Sequence, residues 1–262
     1  MMRRILGLSV VAAMLCVASS ALAAPGVSMR WQVCSGEGAG AGALANRTFA
    51  CASNIGSNTL VFSFELPADV LQVSGNELVV DFLSQAASMP TWWDFKNLGT
   101  CRTGSLAVNV NFDANNVVCV DWAQGLSGAG LGAWGSGTPQ LDGTVDPALV
   151  SQHRRLTMAL AVPPSGLQDL VTATEYFSCN VAINNLKTVN TTCLGCSEPI
   201  CIVFNSLRVT TPPVNGQPIN DVIIGNASSP GSNIVTWQGT GPDCQLVPTK
   251  NKTWGQVKAL YR

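Results

Sequence analysis

The densest chemistry in the chain is the run Cys193-Leu-Gly-Cys196-Ser-Glu-Pro-Ile-Cys201. With Cys179 it supplies four thiols, the donor set of a structural zinc site. A Cys-x-x-Cys pair can also serve redox exchange, but that role needs a thioredoxin-like βαβ setting, and the surrounding residues do not supply one. Cys193–Cys201 lies between two period-2 runs. Phe177, Cys179, Val181 and Ile183 alternate with polar or small residues, and Cys201, Val203, Leu207 and Val209 alternate with Ile200, Ile202 and Phe204. Such runs signal strands with a buried face. If they form a hairpin, Cys179 falls opposite about Ser206. That is roughly 17 Å from Cys201 at ~3.3 Å per residue, too far to share a metal. The expectation is therefore disulfides, with no metal and no cofactor.

The compartment supports that choice. Arg3 and Arg4, the apolar stretch 5–17 and Ala21-Leu22-Ala23 form a secretory leader, residues 1–23. Cys16 lies inside the apolar stretch and leaves with it. Nine cysteines remain as disulfide candidates: Cys34, Cys51, Cys101, Cys119, Cys179, Cys193, Cys196, Cys201 and Cys244. The odd count leaves at least one thiol unpaired or intermolecular. Short loops favour Cys34–Cys51 and Cys101–Cys119, each worth roughly 3 kcal/mol in the chain-entropy model. Cys179 is expected to reach a partner outside the loop, such as Cys244.

The tryptophans are the candidate binding groups. Trp92, Trp93 and Trp134 fall in connections or at strand ends, where exposed flat rings stack on sugar faces while nearby amides meet hydroxyls. Adjacent residues of an extended segment point to opposite sides, so one of Trp92 and Trp93 is expected to be exposed. The competing reading places these rings in the core.

Other candidates fare worse. His153 is the only histidine; it stands beside Arg154 and Arg155 before a strand and reads as solvated. No Gly-x-Ser-x-Gly elbow exists. Asp81, Asp94, Asp121 and Glu175 could serve carboxylate catalysis, yet their spacing selects no pair. Gly130-Leu-Gly132-Ala-Trp-Gly135 matches a dinucleotide pattern literally but does not open a helix. Asp142-Gly-Thr-Val-Asp146 lacks a full calcium loop and reads as a turn.

Composition sets the frame that positions these groups. Charged residues are 11% of the 262, against about 25% in ordinary soluble domains. Loss of the leader removes two of 14 basic residues against 15 acidic ones, so no excess of positive charge attracts nucleic acid or anionic lipid. No stretch after the leader is long and apolar enough for a membrane-spanning helix. Alternating runs at 59–66, 77–83, 106–112, 117–122 and 155–162 predict strands, with 106–112 and 117–122 forming a hairpin. Residues 123–148 read as a long Gly-rich loop, and 167–172 as one helical turn. The chain divides into the leader 1–23, a β domain 24–211, and a small C-terminal appendage 212–262. The appendage starts at Pro212-Pro213 and ends in a basic amphipathic segment, Lys250 to Arg262, which could dock on a cell surface or pack on the β domain. The fold class is all-β: a two-sheet antiparallel sandwich, immunoglobulin-like or jelly-roll, cross-linked by disulfides.

Pro90-Thr-Trp-Trp-Asp-Phe with Cys101, Glu175-Tyr-Phe-Ser-Cys, Cys196-Ser-Glu-Pro-Ile-Cys-Ile-Val-Phe-Asn-Ser and Thr253-Trp-Gly…Leu-Tyr-Arg together resemble an uncharacterised family of secreted bacterial proteins. The likeness spans most of the chain after the leader and implies export without an activity. The strand arrangement is also broadly similar to cohesin-like and carbohydrate-binding sandwiches, which implies architecture alone. The expected function is a secreted, non-enzymatic structural or interaction protein at the cell surface or outside the cell, its partner an extracellular protein or a polysaccharide. The alternative is a carbohydrate-binding module using Trp92, Trp93 and Trp134, and the third reading is a secreted hydrolase.

Overall fold

The computed structural model describes residues 24–36, 44–95, 101–113, 118–136, 151–215, 220–229 and 231–239. The leader, Cys244, Asp142–Asp146 and the basic C-terminal segment lie outside these residues.

The described chain is all-β. One sheet has the order β1 (Gly26–Trp31), β3 (Ser57–Glu65), β11 (Tyr176–Asn184), β6 (Leu106–Asn109), and β7 (Val120–Asp121) adds to β11 beyond β6. A larger sheet runs β2 (Asn46–Arg47), β14 (Ile234–Trp237), β12 (Ile200–Thr210), β5 (Gly75–Ser84), β9 (His153–Ala161), β8 (Gly128–Ser136), with β13 (Val222–Ile224) also on β12. A third, two-stranded sheet joins β4 (Val70–Val73) to β10 (Gln168–Leu170). Pairing is antiparallel except for β7 on β11 and β2 on β14.

Alternation along the strands builds one core between the two larger sheets. Leu60, Phe62 and Phe64 of β3 share it with Val181 and Ile183 of β11, Leu78, Val80 and Phe82 of β5, and Ile202 and Phe204 of β12. Phe62 meets Phe204 edge-on, with centroids 5.2 Å apart, linking one sheet to the other. Such pairs add about 0.5–1.5 kcal/mol beyond their area.

Several expectations change here. The strands on either side of the cysteine run do not form a hairpin: β11 pairs with β3 and β6, whereas β12 pairs with β5 and β14. A period-2 pattern marks a buried face but does not name the neighbouring strand. Nor does 106–112 pair with 117–122, because β6 and β7 both join β11, at different points along it. Part of the Gly-rich loop is strand β8, whose pairing with β9 runs from Gly128↔Ala161 to Ser136↔Arg154. Backbone hydrogen bonds do not need side chains, so glycines that weaken the strand signal still pair at a sheet edge. The expected helical turn at 167–172 is instead a 3-10 turn at Pro164–Gly166 followed by β10. Finally, the segment after Thr211 is no appendage as far as residue 239. β13 registers Val222↔Val209, and β14 registers Ile234↔Val203, both inside the larger sheet.

Among the described residues three disulfides pair Cys34–Cys119, Cys51–Cys196 and Cys101–Cys193. These replace the short-loop pairs Cys34–Cys51 and Cys101–Cys119. They close separations of 85, 145 and 92 residues, each worth about 4.5–5 kcal/mol in the chain-entropy model. Proximity in sequence lost to proximity across sheets. The connection from β11 to β12 crosses between the sheets, and its two cysteines are pinned to different partners. Cys201 is also disulfide-bonded, to a residue outside the described ones. Cys179 is a buried free thiol, contrary to the expected bond to Cys244.

Candidate functional site

The rings proposed as a sugar platform are not on the surface. Trp92, Trp93 and Trp134 are each 0% exposed. Residues Thr91–Trp93 form a 3-10 turn rather than an extended segment, so the adjacent indoles turn inward together. Trp92 stands 5.0 Å from both Trp93 and Trp237, and Trp134 lies 4.8 Å from Phe82 and 5.0 Å from Phe95. At about 150–250 Å² per ring and ~25 cal/mol/Å², burial stabilises by roughly 4–6 kcal/mol each. That is why aromatic residues in a long connection seek the core.

Arg102 closes this aromatic box. Its guanidinium carbon sits 3.4 Å from the Trp92 ring centroid and 5.2 Å from that of Phe95. It donates to the Asn184 carbonyl, and burial pulls its pKa down to about 9. The Trp92 indole N–H donates to Thr188 Oγ1 at 3.1 Å. The box therefore holds the β11–β12 connection against the 3-10 turn, helped by Cys101–Cys193.

His153 is also corrected: it is 0% exposed, not solvated. It stands on β9 with Arg155, beside Asp81 of β5 in the register Asp81↔Arg155. Asp81 Oδ1 lies 2.8 Å from His153 Nε2 and accepts from Arg155 Nε at 2.7 Å. Its Oδ2 accepts from Arg155 Nη2 at 2.9 Å and from Asn205 Nδ2 at 2.8 Å. Burial pushes this carboxyl up, but the His153 and Arg155 hydrogen bonds and charges outweigh it, holding Asp81 below the ordinary carboxylate range. Residues 72, 74 and 124 positions away in sequence are assembled by strand register alone. Only the polar alternation on β9 hinted at it.

Asp121 and Glu175 also hold backbone. Asp121 accepts from the Ala123 and Gly125 amides at 3.0 and 2.6 Å. Glu175 accepts from the Ser35 and Gly36 amides at 2.8 and 3.1 Å and from Ser63 Oγ at 2.6 Å, fixing the turn that carries Cys34. Glu65 is raised by burial and by the nearby Glu175 charge. Burial likewise raises Asp94, which Arg154 partly offsets from 3.8 Å. The Cys179 thiol, buried in the core, is pushed up to about 12 and is inert as a nucleophile at neutral pH. Cys193 and Cys196 are bonded to different distant cysteines, so the pair offers neither a redox couple nor two zinc ligands.

Among the open clefts of the described residues, two bear on function. The larger, about 760 Å³, lies beside Cys101–Cys193. Asn54 in its wall is already engaged, accepting from the Thr188 and Val189 amides and donating to the Val189 carbonyl. Thr91 accepts from the Leu194 amide. The smaller, about 390 Å³, is lined largely by amide side chains of the β1–β3–β11–β6 sheet.

The chain matches no known protein family, no curated protein and no solved structure. No helix of the described residues is long and apolar enough to cross a membrane.

Proposed function

We propose that the chain is an exported, disulfide-braced two-sheet β-sandwich that serves as a structural or interaction protein outside the cell or at its surface. The observation that carries this reading is the engagement of its reactive side chains in the scaffold. Asp81, with four hydrogen-bonding contacts, ties the buried His153 to the partly buried Arg155, and seven of the described cysteines are oxidised. Disulfides that bridge distant loops fit an oxidising compartment. Two sheets sharing one core fit a sandwich.

Fractionation of the producing cell tests the location: the protein belongs in the medium, the periplasm or the surface fraction. Recovery as a reduced cytoplasmic protein would overturn export. A panel of generic ester and glycoside substrates tests the role, with no turnover expected. Turnover by the purified protein would replace this reading with that of a secreted hydrolase.

A further inference from the structure

The strand registers Arg30↔Val61, Val61↔Asn180 and Asn180↔Asn109 set residues of β1, β3, β11 and β6 in one row across the sheet. Beside it Gln32 leaves β1 with φ of 73°, a left-handed conformation that glutamine adopts only at a cost, while its backbone N–H donates to the Thr59 carbonyl. Gln32, Thr59, Asn109, Asn111 and Asn180 line the 390 Å³ cleft, together with Val61 and Asp113. Its size is within the ~300–1,000 Å³ of small-ligand sites.

Asn180 lines this cleft and is only 9% exposed. Its Nδ2 donates to the Asn111 carbonyl at 2.9 Å and makes a longer contact of 3.5 Å with Asn109 Oδ1. Asn109 Oδ1 is itself held by the Asn111 amide at 3.1 Å. Rotating the Asn180 amide by half a turn would put its oxygen against two acceptors, so its orientation is fixed. That leaves Asn180 Oδ1 buried with no donor among the described residues. An acceptor left this way costs about 1–3 kcal/mol, which a ligand O–H would recover.

We infer that this amide row is a binding site for a neutral polyhydroxylated ligand, an oligosaccharide. Amides both donate and accept, as hydroxyls do, and several at fixed positions can read a hydroxyl pattern. Among the described residues that line the cleft there is no cation, and Asp113 disfavours an anionic ligand. This deepens the interaction-protein reading and rests on it, but moves any sugar recognition away from the tryptophans.

The test is calorimetric titration of the oxidised, purified chain with cello-, xylo-, malto- and chito-oligosaccharides, and with heparin as the anionic control. At least one neutral series is expected to bind, heparin is not, and Asn180→Ala is expected to weaken binding at least about tenfold. Gln32→Ala alters an exposed side chain, keeps the readout available if Asn180→Ala does not fold, and is expected to weaken binding several-fold. The inference is overturned by no neutral glycan binding, by heparin binding best, or by affinity that both variants leave unchanged. Those results would leave export and surface location standing, which fractionation tests separately.

Discussion

Replacing Asp81 by asparagine keeps the volume and removes the charge at the middle of the β5–β9–β12 register. The carboxylate takes two hydrogen bonds from Arg155 and one from Asn205, with His153 Nε2 at 2.8 Å. An asparagine offers one oxygen, and its amide would face groups that are themselves donors. Breaking a buried ion pair by removing one partner costs about 3–5 kcal/mol. Arg155 keeps partial contact with solvent, at 17% side-chain exposure, so the low end applies, about 3 kcal/mol. For a chain of this size, 1 kcal/mol corresponds to about 2–4 °C, and the variant is expected to melt about 6–12 °C lower at neutral pH. The folded-state pKa of Asp81 is depressed, so its contribution is complete above the unfolded carboxyl value near ~3.9 and is lost as pH falls through the folded value. The gap between wild type and Asp81→Asn should therefore shrink below about pH 4. Thermal melts of both oxidised proteins from pH 7 to pH 2 measure it. A neutral-pH difference under about 2 °C, or a gap that stays constant into acid, would refute the reasoning.

The tryptophan box makes an opposite claim to a surface platform. Trp92→Ala and Trp93→Ala each remove a fully buried ring, and each is expected to cost about 3–5 kcal/mol. Chemical denaturation followed by tryptophan fluorescence would show this; variants as stable as wild type would place the rings outside the core. Peptide mapping of the non-reduced protein should recover Cys34–Cys119, Cys51–Cys196 and Cys101–Cys193, while Cys34–Cys51 or Cys101–Cys119 peptides would contradict the fold. Once the leader with Cys16 is gone, Cys244 is the cysteine expected on Cys201. Cys179, with its thiol pushed up to about 12, should resist iodoacetamide in the native protein and react in denaturant; rapid native alkylation would show that β11 opens readily.

Much of the scaffold was legible along the chain. Phe62 and Phe64, Val80 and Phe82, Leu156 and Met158 and Val181 and Ile183 alternate because every second residue of a strand meets the core, and that signal needs no partner. The Gly-rich edge strand β8 was not legible, because its evidence is backbone hydrogen bonding to β9. Nor was the inward turn of Trp92 and Trp93, since local spacing does not say whether a segment is extended or a 3-10 turn. His153 looked solvated beside two arginines; next to Asp81 it became part of a buried polar group. Asn109, Asn111 and Asn180 were visible only as the polar alternate positions of two separate strands, which register then set side by side.

Composition and periodicity were enough to define an all-β chain, rich in cysteine and poor in charge, with strands whose buried faces could be named. Those properties are local: they follow from side-chain alternation and from what each residue type gains or loses in water. Strand order, disulfide partners, the destination of the indoles, the Asp81 cluster and the amide-lined cleft all join residues many tens of positions apart. They depend on which faces meet, a choice made by the whole core at once, and so they emerged only when the sheets were assembled.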